Sequence, residues 1–404
     1  MSDPVRKRTS AWKIAGIVAG VIVASIVALI LWASAAASRK FIQMKEKSRA
    51  RLAEVRGSDA RRPILRGAAE PGNAWDDYAL AEAEVQKFGH AQRLGELVDR
   101  SPKADPEVGK AALAAHGVAV DHLGRGAGRA SSRYPYEWER GVHMLTPGLG
   151  AAGNTANLAV LKARSLVDEG KPRDAAGVLL DVCQFGRDLS ADGVMITYMM
   201  GIAILGTGFN EIRDHLLAGK FDQAALEDLD HGLETLDGSF PRYGETLINE
   251  ALLFGGLLDE SVAGGYGPQR LLYADAVERI SESVADAARA ESLPWADSQK
   301  ELRRIETQAR KGWNPLSSIA VPSMVQESFI GRLSRARLRA LRIAVHARAT
   351  GKVLDLDDPF GAKMRTEEKE GRLRIWSVGK DGVDDGGTGD WKTGDKDLVL
   401  ELMR

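Results

Sequence analysis

The sequence predicts a mainly α-helical protein with an N-terminal transmembrane helix and a small antiparallel β-sheet near its C-terminal end. Three observations lead to this fold class. No charged side chain occurs between Ile14 and Ser38. Nearly every segment from residue 74 to residue 351 has apolar residues at helical spacing, interrupted by Gly and Pro. After Leu354 this spacing stops, and short runs of alternating apolar and polar residues follow.

The uncharged run over residues 14–38 is long enough to cross a membrane, because a helix needs about twenty apolar residues to span a bilayer core of roughly 30 Å. Trp12 and Trp32 lie near its ends, where aromatic residues favour the membrane–water interface. We therefore expect a transmembrane anchor in contact with lipid, preceded by a basic segment over residues 1–13. The alternative is a secretory signal peptide, with a small-residue cleavage site at Ala33-Ser34-Ala35.

The charges around the anchor give opposing indications of its orientation. Basic residues after the span, beginning with Arg39 and Lys40, outnumber those before it, which favours a cytoplasmic body. A short N-terminal tail that stays in the cytoplasm while the rest of the chain is exported is the simpler route. The expected arrangement is a single-pass protein of the cell membrane, with a cytoplasmic N-terminus and its bulk on the periplasmic or extracytoplasmic side.

Small residues recur every four positions along one face of the anchor, at Gly16, Gly20, Ala24 and Ala28. This spacing lets two helix backbones approach closely and predicts a homodimer through the anchor. The alternative is that Gly and Ala are simply common in such helices.

Composition excludes several classes of protein. The chain has 55 basic and 56 acidic residues and a formal net charge of −1, so there is no overall electrostatic case for binding nucleic acid. The single cysteine, Cys183, excludes an intramolecular disulfide framework and a cysteine-based zinc site. It lies in an apolar helical pattern, so we expect a core residue.

The chain after the anchor divides into three predicted regions. Residues 39–73 are expected to form a juxtamembrane helix followed by a linker rich in turn-forming residues. Residues 74–322 are expected to form an α-helical body, and residues 323–404 a long helix with a β-strand tail.

Two similar turns predict that the body consists of helical hairpins. Helices are predicted at Thr155–Glu169 and Pro172–Leu189, with Gly170 between them. The six residues from Gly170, Gly-Lys-Pro-Arg-Asp-Ala, align with Gly-Lys-Phe-Asp-Gln-Ala from Gly219. Both turns resemble those of tetratricopeptide repeats, although they lie about 50 residues apart and not about 34. The body is therefore predicted to be a bundle or solenoid-like stack of hairpins.

The last predicted helix runs from Ser323 to Thr350. It opens with a capping box formed by Ser323 and Gln326. Four arginines lie opposite its apolar face: Arg332, Arg335, Arg339 and Arg342. This arginine stripe is interpreted as a solvated face, as a site for nucleic acid or anionic lipid, or as the partner of the acidic tail that follows.

Three short strands are predicted in the tail. The first two are Ala362–Thr366 and Arg372–Val378, joined through Lys369-Glu370-Gly371, and the third alternates Leu398, Leu400 and Leu402 with other residues. So few strands cannot form an independent core. We therefore expect them to pack on the preceding helix.

The loop between the second and third predicted strands is rich in Gly and Asp. Its aspartates are Asp381, Asp384, Asp385, Asp390, Asp395 and Asp397. Carboxylates at this density repel one another unless they are solvated or neutralised, and a hard cation such as Ca²⁺ prefers oxygen ligands. The spacing is not that of an EF-hand. A solvated acidic loop is the alternative.

The tail resembles the C-terminus of the major pseudopilin of type II secretion systems. The ordered motifs that carry the resemblance are Asp358-Pro359-Phe360-Gly361, Ile375-Trp376-Ser377-Val378-Gly379-Lys380-Asp381-Gly382, Asp384-Asp385-Gly386-Gly387 and Asp395-Lys396-Asp397-Leu398-Val399. In that family a long helix packs on a small antiparallel sheet, and a calcium ion holds the Asp-rich loop. The resemblance implies Ca²⁺ ligands at Asp381, Asp385, Asp395 and Asp397, with Asp384 and Asp390 as possible substitutes.

The N-terminal half departs from the pseudopilin pattern. Pseudopilins have a Glu at the fifth position of their hydrophobic helix, whereas residues 14–38 contain no acidic residue. The long helical body between the apolar segment and the tail also departs from the pseudopilin pattern. In these respects the chain resembles uncharacterised bacterial membrane-anchored proteins that have tetratricopeptide-like hairpins and end in the same kind of tail.

No catalytic motif stands out, so an enzyme is the less favoured class. The seven histidines show no metal-ligand spacing. Residues 148–153 match G-x-G-x-x-G, but a dinucleotide site needs a strand before them and alternating strands and helices after them. We interpret this motif as a loop that enters a helix.

Three functions are consistent with these observations. The first is a membrane-anchored binding or scaffold protein of the bacterial envelope that holds an unidentified protein partner and has a calcium-stabilised tail. The second is an accessory component of a type II secretion or pilus-like system. The third is an enzyme whose site assembles from residues distant in sequence.

Overall fold

The computed structural model describes most of the chain outside its N-terminal region. The described residues are 20–36, 38–40, 42, 43, 46, 62–89, 91, 93–101, 105–138, 140, 144, 146–191, 193–260, 267–311 and 323–403. Within them the protein is mainly helical, as predicted, with a small antiparallel sheet near the C-terminus. The basic segment, Gly16 and most of the predicted juxtamembrane helix lie outside these residues.

The elements follow one another in a simple order. The helices are α1 Gly20–Lys40, α2 Ala74–Gln86, α3 Arg93–Val98, α4 Pro106–His116, α5 Val118–Ala127, α6 Leu149–Asp168, α7 Pro172–Ala191, α8 Met195–Leu217, α9 Gln223–Gly238, α10 Tyr243–Glu260, α11 Gly267–Glu291, α12 Trp295–Arg310 and α13 Met324–Thr350. The strands are β1 Glu70–Asn73, β2 Arg129–Ser131, β3 Arg365–Lys369, β4 Arg372–Ser377 and β5 Leu398–Met403. Strands β1 and β2 pair in parallel beside α2, and β3, β4 and β5 form the C-terminal sheet in that order.

Helix α1 is long and apolar enough to cross a membrane. Its large apolar side chains do not pack on the body: Leu29 and Leu31 are 64 % and 65 % exposed. Water would solvate such a surface unfavourably, so the helix fits an apolar surrounding better than an aqueous one. Gly20, Ala24 and Ala28 of the predicted dimer face lie in this helix.

The two aligned turns of the body have the same backbone geometry. Gly170 and Gly219 have φ values of +74° and +64°, in the left-handed region that glycine adopts without steric cost. After α6, the N–H of Lys171 donates to Leu166 O at 2.8 Å; after α8, the N–H of Lys220 donates to His215 O at 3.0 Å. Both are Schellman caps, which satisfy helix carbonyls that would otherwise lack partners.

Helices α7 and α8 form the centre of the body and approach each other at their backbones. A Cβ atom on Gly201 would lie 2.4 Å from the carbonyl oxygen of Gly186, and one on Gly186 would lie 2.8 Å from that of Gly201. Real Cβ atoms do not make such short contacts, so glycine is required at this crossing. Nearby Cys183 is fully buried, as expected of a core residue.

Helix α13 joins the body to the C-terminal sheet. It packs on α8 and α9 through one surface and on β4 and β5 through another. Five leucine and isoleucine side chains of the sheet are buried and belong to the same hydrophobic cluster as α7, α8 and α9: Leu373, Ile375, Leu398, Leu400 and Leu402. The alternating pattern therefore predicted the buried face of β4 and β5, because side chains two residues apart point to the same side.

The predicted helix from Ser323 to Thr350 is confirmed as α13, but its predicted cap was wrong, and so was the predicted start of the first strand of the tail. Ser323 makes no side-chain capping bond, so the predicted capping box does not form. Instead Glu306 of α12 accepts a hydrogen bond from the N–H of Val325 at 2.9 Å, which satisfies one of the free donors at the start of α13. Strand β3 begins at Arg365, later than the predicted Ala362, because its register is fixed by the tight turn at Glu370-Gly371.

The segment that enters the body from the side of α1 in the sequence is held by two ion pairs to α7. Arg62 lies in the core, and its Nε donates to Oδ1 of buried Asp188 at 2.9 Å. Arg66 forms a bidentate pair with Asp181, at 2.7 and 2.6 Å. Between them, Leu65 is buried and its N–H donates to Gln184 Oε1 at 3.0 Å. We call residues 62–66 the docked segment.

We expect the two ion pairs of the docked segment to differ in their contribution to stability. Arg62→Met removes the main cation that pairs with the buried carboxylate of Asp188, and it should lower the free energy of unfolding by about 3 kcal/mol. Arg66→Met should cost less, about 1–2 kcal/mol, because the Arg66 side chain is half exposed and because burial raises the pKa of its buried partner Asp181 to about 6, so that the carboxyl left alone takes up a proton more easily. Urea denaturation of the detergent-solubilised protein, followed by circular dichroism, measures both. Equal losses would contradict this assignment.

Candidate functional site

The structure places the aspartates of the acidic loop in two settings. Asp381 and Asp390 are exposed, and each accepts hydrogen bonds from backbone N–H groups two or three residues further on. Asp384 accepts a hydrogen bond from the indole N–H of Trp376 at 2.9 Å and pairs with Arg365. These bonds stabilise turns of the loop. Asp395 is exposed and Asp385 half buried.

Asp397 is the exception, because it is completely buried. Its Oδ2 accepts a hydrogen bond from the N–H of Gly387 at 2.7 Å, whereas its buried Oδ1 has no hydrogen-bond partner. Burial raises the pKa of the Asp397 carboxyl, against the opposing effect of the backbone N–H groups. Among the described residues, no three His, Cys, Asp or Glu side chains are gathered around a common point. Of the predicted ligands, Asp397 is thus the one with an unsatisfied oxygen.

The first of the tail motifs, Asp358-Pro359-Phe360-Gly361, has a structural role. Asp358 is buried, and its carboxylate accepts hydrogen bonds from the N–H groups of Phe360 and Val378, both at 2.9 Å, and from the hydroxyl of Ser377 at 2.7 Å. This carboxylate ties the turn after α13 to the end of β4. Sequence reasoning located the turn but not the bonds that hold it.

The arginine stripe of α13 binds the body and not the carboxylates of the acidic tail. Asp237, buried at the end of α9, accepts hydrogen bonds from Arg335 Nε at 3.1 Å, Arg339 Nε at 3.2 Å and Arg342 Nη1 at 2.7 Å. Burial alone would raise the pKa of Asp237, but the charges of Arg339 and Arg335 outweigh it and hold the pKa below its usual value. We call these four residues the Asp237 cluster.

A cleft of about 550 Å³ opens beside the Asp237 cluster, between α10, α11, α13 and the turn at Pro359. We call it the arginine cleft. Its charged lining residues are Arg242, Glu245, Glu291, Arg332, Arg335 and Arg339. Aromatic and apolar lining residues include Tyr198, Tyr243, Ile248, Leu293 and Pro359.

Arg332 is held rigidly in the wall of the arginine cleft. Its Nη1 donates to Pro359 O at 3.0 Å, and its Nη2 donates to Glu291 O at 2.6 Å and to Leu293 O at 3.0 Å. Its Nε is buried and has no hydrogen-bond partner, and the nearest carboxylate oxygen, Glu291 Oε1, lies 3.7 Å away. Burial lowers the pKa of Arg332, but a guanidinium stays charged at any physiological pH.

A carboxyl group with a strongly raised pKa lies next to the cleft. Glu327 of α13 accepts a hydrogen bond from the hydroxyl of Tyr243 at 2.6 Å. Burial raises the pKa of Glu327 to about 7, and the neighbouring carboxylates of Glu250 and Glu306 act in the same direction. The pKa of Glu291, which lines the cleft, is also raised by burial.

The glycine motif at residues 148–153 lies at the start of α6: residues 149–153 are already helical and not part of a loop, although the motif does begin a helix as interpreted from the sequence. Gly148 is the residue before the first turn of this helix, and its N–H donates to the carboxylate of Glu82. In a dinucleotide fold a phosphate occupies that position. Here a carboxyl group of the protein itself occupies it, and burial raises its pKa to about 7.

Sequence reasoning singled out the arginine stripe but missed the residues that complete the cleft. Tyr198, Arg242 and Tyr243 lie on α8 and at the start of α10, far from the stripe in sequence, and no motif connects them. The available signal was an uncharged stretch of α8 that includes a tyrosine, since a buried tyrosine hydroxyl usually needs a polar neighbour.

Comparison of the chain with known protein families, with curated proteins and with solved structures found no match.

The raised pKa of Glu327 predicts a pH-dependent stability. A carboxyl whose pKa rises on folding stabilises the folded state below its unfolded pKa, near 4.5, and this stabilisation is lost as the pH rises to about 7. Replacing Glu327 with Gln should therefore flatten the decline of the melting temperature between pH 5 and pH 7.

The control for this experiment is Glu301→Gln, because Glu301 is exposed and Arg304 lowers its pKa. That variant should leave the slope of stability between pH 5 and pH 7 unchanged, because a carboxyl whose pKa is lowered on folding alters the pH dependence of stability only near or below pH 4.5. If the decline between pH 5 and pH 7 is the same in wild type and Glu327→Gln, the assignment to Glu327 fails.

Proposed function

We propose that the chain is a membrane-anchored scaffold of the bacterial envelope, in which an apolar N-terminal helix holds a body of stacked helical hairpins against the bilayer. One observation carries this proposal. The large apolar side chains of α1 are exposed, and the chain that follows this helix leads to the docked segment, whose Arg62 is buried in the body. The segment that follows the proposed anchor is therefore attached to the body inside the core of the body.

The hairpin architecture supports a binding role more than a catalytic one. Two Schellman turns, at Gly170 and Gly219, join successive helices, and stacked hairpins of this kind present extended surfaces to partner segments. The solenoid-like arrangement, and its likeness to tetratricopeptide repeats, is part of the proposal. The unidentified protein partner would lie along such a surface.

The proposed topology has a cytoplasmic N-terminus and an exported body. The small residues Gly20, Ala24 and Ala28 recur at a spacing suited to close helix packing, so the proposed assembly is a homodimer through α1.

The anchoring role predicts how the protein partitions. The full-length chain should remain with membranes through carbonate extraction, and removal of residues 1–38 should release it into the supernatant. In intact cells, external protease should degrade the body of an exported protein only after the outer barrier is opened. Quantitative release of the uncleaved full-length protein by carbonate would overturn the proposal.

A second candidate function is that of an accessory component of a type II secretion or pilus-like system. It is favoured by the small sheet packed on the long helix α13 and by the unsatisfied Oδ1 of Asp397. The residues fit a calcium ion in their chemistry, since Asp381, Asp385, Asp395 and Asp397 offer carboxylate oxygens. A calcium ion bound there would neutralise the loop, and Asp397 would supply its buried ligand.

Calcium binding predicts a thermal response of the tail. Addition of millimolar CaCl₂ should raise the melting temperature by about 2–4 °C, since a ligand that binds only the folded state stabilises it. Asp397→Asn should abolish the increase, whereas Glu367→Gln, at an exposed position of β3, should preserve it. An unchanged melting temperature in wild type would remove calcium from this account.

A further inference from the structure

The arginine cleft has an excess of positive charge. Four arginines and two glutamates are its charged lining residues. Behind the cleft, Asp237 accepts hydrogen bonds from Arg335, Arg339 and Arg342, and Glu234 also pairs with Arg342, so two carboxylates face three guanidinium groups. Glu291 is the acidic group nearest to Arg332. The carboxylates of the protein therefore do not fully neutralise the positive charge of these arginines. An anion that enters the cleft is attracted by the remaining charge.

Two arginines of the cleft have donors available to a ligand. Arg242 is exposed, lines the cleft and makes no side-chain ion pair with the residues that the structure describes. Arg335 uses Nε and Nη2 on the carboxylate and carbonyl of Asp237, which leaves its Nη1 without an acceptor in the described part of the chain. Guanidinium groups present such donors in a planar fork that matches the oxygens of a phosphate.

Arg332 adds a fixed positive charge to the cleft wall. Three backbone carbonyls hold its guanidinium in place, so its orientation is already fixed before any ligand binds. Its Nε is buried without a hydrogen-bond partner and is enclosed by protein, so Arg332 would attract an anion through its charge and not through this donor. A cation held in this way is preorganised for an anionic ligand.

The remaining wall of the cleft is suited to an apolar or aromatic group. Tyr198 and Tyr243 lie with ring centroids 5.6 Å apart, and Ile248, Leu293 and Pro359 are further lining residues. The volume of about 550 Å³ lies within the range of roughly 300–1,000 Å³ that small-molecule sites occupy. A phosphate ion alone would leave most of this space to water.

We propose that the arginine cleft binds a small organic phosphate monoester, with its phosphate near Arg242, Arg335 and Arg332 and its organic part against Ile248, Leu293 and Pro359. The phosphate is preferred to a single carboxylate because the four lining arginines outnumber the two lining glutamates, and Asp237 behind them neutralises only part of the remaining charge. This site is independent of the proposed scaffold function, since none of its residues belongs to α1 or to the docked segment.

Two kinds of molecule present a phosphate monoester to a protein attached to a membrane. One is a soluble phosphate monoester, and the other is a lipid whose headgroup is a phosphate monoester. Phenyl phosphate represents the first and dihexanoyl phosphatidic acid the second. Inorganic phosphate and phenol each carry one half of the phenyl phosphate molecule.

Isothermal titration calorimetry on the full-length protein in neutral detergent micelles tests the proposal. Phenyl phosphate or dihexanoyl phosphatidic acid should bind at least tenfold more tightly than inorganic phosphate, and phenol should give no measurable binding. The stronger of the two monoesters identifies the source. Weak binding of every monoester, no tighter than that of inorganic phosphate, would overturn the proposal.

Three variants separate the cleft from general charge effects. Arg242→Gln should weaken monoester binding at least fivefold without lowering the melting temperature, and Glu245→Gln should strengthen it severalfold, because Glu245 is an exposed acidic residue of the same cleft. Arg304→Gln, at an exposed pair on α12, should bind like wild type. If Arg242→Gln and Arg304→Gln bind equally well, the ligand does not occupy the cleft. Anchoring is measured separately by carbonate extraction, so either proposal can fail alone.

Discussion

The ion pairs of Asp237 with three arginines of α13 determine how the C-terminal third of the molecule is arranged. A carboxylate buried at the end of α9 is stable only when cations surround it, and the spacing of Arg335, Arg339 and Arg342 brings all three to it on one face of the helix. This fixes the rotation of α13 about its axis. The apolar residues on its other surfaces then face α8 on one side and the C-terminal sheet on another.

The arginine cleft follows from the same arrangement. Asp237 binds the arginine stripe and so holds it against α9. As a result, Arg332 and Arg335 line the cleft beside α10 and α11 and do not extend into solvent. The tail closes this space from a further side, since the carbonyl of Pro359 binds Arg332 while the preceding Asp358 holds the end of β4. Body and tail thus share one polar junction.

The elements that the sequence predicted well are those governed by local rules. The glycines at 170 and 219 end helices because glycine adopts a positive φ at low cost, and the alternation of Leu398, Leu400 and Leu402 specifies the buried face of a strand whatever lies beneath it. Residues near each other in the chain determine these features. The apolar character of α1 is likewise local, since it depends on composition alone.

The features that the sequence did not predict depend on partners distant in the chain. Ser323 had the pattern of a capping box, but Glu306 of another helix satisfies the start of α13 in its place. The arginine stripe was located from the sequence and interpreted as a solvated face, as a site for nucleic acid or anionic lipid, or as the partner of the acidic tail. Three of its arginines instead share Asp237 of α9, a residue that carries no local signal. The cleft required residues from α8, α10, α11 and the tail, whose proximity only the folded chain defines.

The crossing of α7 and α8 limits how the body can come apart. Where Gly186 and Gly201 meet, the two backbones lie too close for any side chain to intervene, so water cannot enter there by a small displacement. Separation of these helices would expose a continuous strip of main chain and the adjoining core in one step. The two helices consequently form one cooperative unit, and the docked segment, bound to α7, is released with them.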